Sequence, residues 1–358
     1  MDRPRYPIIQ GGMGIGISLV DLSSAVGLAD AMGTNSSAGL DQLTSTRVGV
    51  QLNQCDAVAR ETSDTKKACG YAGINIMVKL ESSYEASVEG AVKGGANMII
   101  SGAGFPLALP GLVAKFAGTK EHNIALVPIV SSDKTLQIIT EHWLEGGFAP
   151  PSAVVIAGPK SAGHLGFNYR KIAQAGENFL KEYDLFDVLL PQVREYASKF
   201  NIPCFVSGGI RTRADIDRAL SLGATGVHIG TPFVATFESG ASDDFKQKLI
   251  ASNNKDVLIG SPEWGSPAGY PFRYLRDSPL AQDKHGKHFC ICCALGNSIK
   301  EPLSVKPGDC PERYVKPLKG NCPAQGNVIR KGLYTVSAEI DSITKIRHAS
   351  EIIEELVR

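Results

Sequence analysis

The apolar residues of this chain fall into eight short runs separated by helix-like stretches. The runs cover 6–12 (YPIIQGG), 31–37 (AMGTNSS), 73–78 (GINIMV), 97–104 (NMIISGAG), 125–132 (ALVPIVSS), 153–159 (AVVIAGP), 203–209 (PCFVSGG) and 226–231 (GVHIGT). Several are apolar at consecutive positions, which marks parallel strands covered on both faces. Between them, 81–95 and 211–224 carry apolar residues at helical spacing and end in glycine, a common helix stop. A further helix is predicted within 188–200 (VLLPQVREYASKF).

Eight strand-and-connection units ending near residue 250 predict an α/β fold, a (β/α)8 TIM barrel over 1–253. A doubly wound open sheet is the competitor, but no GxGxxG follows the first strand. Two connections are long, 38–72 and 160–202. Past 253 the rhythm stops. A stretch rich in Pro, Gly and aromatics (SPEWGSPAGYPFRYL) leads into a cysteine segment, and the chain closes on a helix-like HASEIIEELVR. The segment 254–358 is therefore expected to be an appended cysteine-containing extension packing on the barrel, not an independent domain.

Composition narrows the function. Of 358 residues, 43% are hydrophobic and 20% charged, with a formal net charge of +1. Such a balance fits a globular enzyme and supplies no bulk basic footprint for nucleic acid. No apolar run approaches the roughly 18 residues of a spanning helix. The N-terminus lacks a signal-peptide layout, so a cytoplasmic location is expected. Five of the eight cysteines, Cys290, Cys292, Cys293, Cys310 and Cys322, crowd the last quarter. In a reducing compartment such crowding points to a metal or iron–sulfur cluster more than to disulfides. However, the paired CxxC…CxxC pattern is missing, which favours a set of free, partly buried thiols over a metal site. His285 and His288 flank the same segment.

In a (β/α)8 barrel the active site lies at the carboxyl ends of the strands. Here those ends carry Gly11, Gly12, Met13, Gly14, Thr34, Asn35, Ser36, Asn75, Ser101, Ser131 and Ser132. His164 follows the sixth strand, Gly208 and Gly209 the seventh, and Gly230 and Thr231 the eighth. The set holds no paired carboxylates, which argues against glycosidase chemistry, and no ligand group for a catalytic metal. Two glycine turns after strands seven and eight suit a phosphate bound by backbone N–H groups. His164, between glycines in GPKSAGHLGF, is the proton-transfer candidate. Lys160, His228, Tyr270 and Phe272 are secondary candidates, each of which could equally be structural.

These residues resemble the FMN-dependent nitronate monooxygenases (formerly 2-nitropropane dioxygenases). The resemblance rests on PIIQGGMGIGIS, GINIMV, IISGAGFPLALP, VPIVSS, GPKSAGHLGF, SGGIRTRADIDRALSLGATGVHIGTPFVATFES and SPAGYPFR. It implies FMN as cofactor and O2 as co-substrate, with an alkyl nitronate, or a nitroalkane, oxidised. By resemblance, Gly12, Met13 and Gly14 set backbone against the flavin and Asn75 hydrogen-bonds it. Gly163 lines the loop, and Gly208, Gly209, Gly230 and Thr231 clamp the phosphate. His164 corresponds to the family's catalytic histidine. The chain departs from the family pattern at Ala157, where Gln or Glu is common. It departs again in reading Ser161-Ala162-Gly163-His164 for A-G-G-H, and at His228 and Pro232 in the last turn. An NAD(P)H-dependent reductase of enoyl thioesters or quinones shares this barrel and is the alternative. A flavin-binding protein without catalysis is a third reading. Partners are expected to be small molecules, with no nucleic acid and no membrane, and a homodimer is compatible with the sequence.

Overall fold

The computed structural model describes residues 4–261, 269–281, 298–300 and 332–358. Eight parallel strands form its centre. They are β1 (Ile8–Gln10), β2 (Thr34–Ser36), β3 (Gly73–Met77), β4 (Met98–Gly102), β5 (Ala125–Val130), β6 (Val154–Ala157), β8 (Cys204–Ser207) and β9 (Gly226–Ile229). The order β1-β9-β8-β6-β5-β4-β3-β2 runs around a ring. A parallel bridge between Ile9 and Met32 closes it, with Gln10 N donating to Met32 O and Met32 N to Ile8 O, both at 2.9 Å. The fold is a (β/α)8 TIM barrel, and each of the eight apolar runs supplies one of its strands.

Alternation along the strands divides two cores. Ile74, Ile76, Ile99, Val154, Ile156, Val206, Val227 and Ile229 face outward into the layer shared with the helices. Ile9, Met98, Ile100, Val127, Val155 and Phe205 face inward and fill the lumen. The lumen is a packed plug, so ligands are confined to its rim.

The helices form where capping and periodicity agree. In Asp133–Glu145, Leu136, Ile139, Thr140 and Trp143 are buried at helical spacing, and Ser132 Oγ accepts from Thr135 N at 3.2 Å. Arg213–Ser221 starts on a capping box: Thr212 Oγ1 accepts from Asp215 N (3.2 Å) and Asp215 Oδ2 from Thr212 N (2.9 Å).

Described parts of the chain beyond the last barrel strand pack on the barrel. The helix Ala349–Val357 packs against both Val20–Leu28 and Arg213–Ser221, and Ala349, Ile352, Ile353 and Leu356 join the outer core. It thereby fills the gap between the last and first βα units. A second, antiparallel sheet joins β7 (Gly163–His164), β10 (Val257–Gly260) and β11 (Phe272–Leu275) in the order β10-β11-β7. No helix of the described residues is long and apolar enough to cross a membrane.

Candidate active site

The rim of the lumen is built from the last inward-facing position of each strand. Asn75 lies opposite Ile100, a lumen residue, while its neighbours Ile74 and Ile76 face the helices. Ala157 pairs with Ser207 and Ser207 with His228, so these three share the lumen face. Small residues predominate at this level. A Cβ on Gly102 would stand 3.0 Å from Ile129 Cβ, and one on Gly11 would stand 3.0 Å from His228 Cε1. The result is a shallow floor of low side chains.

The first loop is held over this floor by Ser18. Its Oγ accepts from Met13 N (2.9 Å) and from Gln10 Nε2 (2.9 Å), and donates to Gly11 O (3.2 Å). Gln10 Oε1 in turn accepts from Thr34 N at 3.0 Å, tying the loop to β2. Asn75 Nδ2 donates to Gly12 O at 3.2 Å. Gly12 is obligatory here, since a Cβ would lie 2.5 Å from Asn75 Cβ and 2.8 Å from Asn35 O. Met13 Sδ reaches the turn after β9, at 3.5 Å from where a Gly230 Cβ would stand. Gly12 thus meets Asn75, and Met13 meets Gly230, on the rim.

The predicted phosphate turn is a separate cluster. Gly208 (φ 112°) and Gly209 (φ 81°) adopt backbone that favours glycine. The 159–162 loop packs on them: a Gly208 Cβ would stand 2.7 Å from Ser161 Oγ, and a Gly209 Cβ 3.0 Å from Lys160 Cδ. Thr231 Oγ1 accepts from Ser337 N at 2.9 Å, and Ala338 N donates to Lys160 O at 3.0 Å. Glu339 then bridges Lys160 and Arg211, the latter at 2.7 Å. Sequence reading missed Arg211 and Glu339. The tail segment that delivers Glu339 stands far along the chain and carries no local signal for this contact.

His164 sits on β7, paired with the tail rather than left in a loop. It lies in register with Phe272, Gly163 with Arg273, and Leu165 N donates to Pro271 O at 2.7 Å. Gly163 has φ 65°, and no atom lies within 4 Å of where a Cβ on it would stand, so the space beside it is open. The Tyr270 ring meets the imidazole edge-on at 6.3 Å. A cavity of about 650 Å³, lined by Phe167, Tyr169, Arg170 and Tyr270 among others, adjoins this pair. Its size is that of an ordinary small-molecule site.

Burial lowers the pKa of His164 to about 4, and that of His228 likewise to about 4. Both imidazoles are neutral at neutral pH. His228 Nδ1 shares a hydrogen bond with Ser207 Oγ at 3.1 Å and its ring packs on Gly11. Folded pKa values below the ordinary 6.5 mean that the unfolded chain binds more protons across the interval from 6.5 down to about 4. Stability therefore falls with falling pH through that interval. Urea midpoints measured from about pH 7 to about pH 5 should fall, and His164→Gln should flatten the slope. An unchanged slope in that variant would show that His164 is not desolvated.

The site has features that fit a flavin mononucleotide. Asn75 Oδ1 is buried with no hydrogen-bond partner, an acceptor in want of an N–H. Among the described residues, the N–H groups of Gly208, Gly209, Gly230 and Thr231 take no part in the backbone hydrogen bonds that lie outside helices and strands, leaving donors for an anion. Among the described residues no group of three His, Cys, Asp or Glu could hold a metal. The cysteine-rich segment from Cys290 to Cys322, with His285 and His288, lies outside the described residues. Cys55, Cys69 and Cys204 are free thiols.

Fold and site together define the class: a (β/α)8 barrel with its polar groups and two desolvated histidines, His164 and His228, at the carboxyl face. A family model described as nitronate monooxygenase matches residues 3–358, and the chain belongs to that family. A probable nitronate monooxygenase of Staphylococcus saprophyticus is 27% identical over 149 residues, 42% of this chain and 38% of that protein. One from Bacillus subtilis is 30% identical over 106 residues, 30% of this chain and 28% of that protein. The aligned stretches thus span well under half of these relatives. Among solved structures, nitroalkane oxidase from Streptomyces ansochromogenes aligns over 99% of this chain and 95% of its own, with TM-score 0.66 and 19% identity. FabK from Thermotoga maritima aligns over 98% and 91%, with TM-score 0.65 and 21% identity. At these identities the likeness to both is one of fold.

Proposed function

We propose that this protein is an FMN-dependent oxidoreductase that oxidises alkyl nitronates with O2. The observation that carries the reading is His164, neutral and desolvated in the loop that follows the sixth barrel strand, with its ring against Tyr270 of the cavity wall. FMN, when bound, would accept electrons from the substrate and pass them to O2. Asn75 Oδ1 would accept a hydrogen bond from the flavin ring. The Gly208, Gly209, Gly230 and Thr231 backbone would hold its phosphate, with Gly12, Met13 and Gly14 against the ring.

His164 also bears on which substrate enters. A general base works best when its pKa lies near the operating pH. An imidazole at about 4 is a poor base for pulling a proton from a neutral nitroalkane. It is well suited to donate an N–H to a substrate that is already an anion. The nitronate is thus favoured over the nitroalkane, with His164 orienting and stabilising its negative oxygens.

Oxygen consumption tests this with an alkyl nitronate and its parent nitroalkane supplied to the purified protein. Rapid turnover of the nitronate is expected, with kcat/KM level from about pH 6 to about pH 8, and slow turnover of the nitroalkane. A rate that climbs with pH through the ordinary histidine range, or equal use of both forms, would restore His164 as a base. Anaerobic bleaching of the flavin by NADPH and not by nitronate would replace the reading with a reductase.

A further inference from the structure

Arg273 is among the most deeply placed cations of the protein, 5% exposed. Its Nε donates to Ser161 O at 3.2 Å and its Nη2 to Pro159 O. It takes part in no ion pair among the described residues. Burial lowers its pKa to about 10, so it stays charged at neutral pH. A buried charge is costly, and this one is spent on two alternate carbonyls of the loop leading to His164.

The effect on that loop follows from peptide geometry. In a trans peptide the carbonyl and the next N–H point to opposite sides. Holding Pro159 O and Ser161 O on the guanidinium turns the N–H groups of Lys160 and Ala162 away from it. Among the described residues neither N–H has an acceptor. The loop's other flank packs on the Gly208–Gly209 turn, with Ser161 N standing 2.8 Å from a Gly208 Cβ and Ser161 Oγ donating to Ser207 O at 3.2 Å. The N–H groups of Gly208 and Gly209 are themselves unspent outside regular elements. The loop is thus sandwiched between a cation that grips its carbonyls and a turn that presents bare donors.

We propose that Arg273 is a positioning residue for a phosphomonoester bay, aiming the Lys160 and Ala162 N–H groups so that they join those of Gly208 and Gly209 around the anion. The inference rests on the flavin mononucleotide reading above and adds to it the part that fixes the bay's shape. The planar fork of an arginine fixes the two carbonyls in one rigid geometry, whereas the rotatable donors of a lysine ammonium on a flexible stem do not. Neither β11 nor β7 pairing needs the side chain, since the ladder is made by the backbone.

The test measures binding of FMN and of riboflavin, which lacks the phosphate, by flavin fluorescence on the purified full chain stripped of flavin. Arg273→Lys and Arg273→Met are compared with wild type, and the unfolding midpoint is read for each. The expected result is FMN Kd raised about tenfold or more in Arg273→Lys and further in Arg273→Met, with riboflavin Kd within about twofold. Equal weakening of FMN and riboflavin, or loss of the fold in both variants, would make Arg273 a general structural residue and overturn the proposal. Unchanged FMN binding would overturn it as well. Failure of the wild-type protein to bind either flavin would instead strike the cofactor reading on which the proposal stands.

Discussion

His164→Asn should retain FMN yet lose about 10²–10³-fold in turnover of an alkyl nitronate, the usual cost of removing one preorganised donor from an anion site. Asparagine keeps a polar group near the first ring nitrogen and preserves the backbone ladder to Phe272. It withdraws the far nitrogen, the part of the ring that can reach beyond the strand. The two halves of the expectation separate binding from chemistry. The flavin absorbance of the purified variant reports the first, and oxygen uptake under saturating nitronate reports the second. A loss confined to kcat/KM at constant kcat would place His164 in substrate capture alone. A rate near that of the wild type would remove it from the reaction.

What was legible in the sequence follows from how local each signal is. A buried parallel strand announces itself as consecutive apolar residues, so the eight runs name the barrel strands without any tertiary knowledge. The helix at Arg213–Ser221 is equally local, because Thr212 and Asp215 cap it within one turn. Gly208, Gly209, Gly230 and Thr231 were legible through their position after the last strands. The surroundings of His164 were not. Its strand β7 is two residues long and exists only because β11 returns from the tail to pair with it. Arg273 stands 112 residues from its acceptor Ser161, and no periodicity spans that gap. Composition also hides desolvation: His164 reads as a loop residue, whereas the fold makes it a neutral imidazole with a pKa of about 4. That last difference alters chemistry more than topology.

Glu61→Ala should cost about 3 kcal/mol of stability, at the lower end of the range for breaking a buried ion pair. The carboxylate is fully buried. Its Oε1 accepts from Val20 N at 2.7 Å and Arg47 Nη1 at 3.0 Å, and its Oε2 meets Arg47 Nη2 at 2.6 Å. The helix Val20–Leu28 has no side-chain cap of its own, so Glu61 supplies one from Gln54–Cys69. Alanine leaves that N–H without its acceptor and Arg47 without its main partner. Arg47 is about a quarter exposed and has Asp64 at 3.8 Å, which lets it recover part of the loss and sets the lower end. Glu61→Gln keeps an acceptor for Val20 and should cost less, about 1–2 kcal/mol. Denaturant midpoints at neutral pH read both values, and an alanine variant within about 1 kcal/mol of wild type would reduce the pair to a surface contact. The position has a functional consequence because Val20 lies two residues beyond Ser18, the hydroxyl that holds Met13 and Gly11. Loosening this helix start therefore loosens the first loop. If that loop carries the flavin, added FMN should win back part of the lost stability in Glu61→Ala, as any ligand bound only by the folded state must.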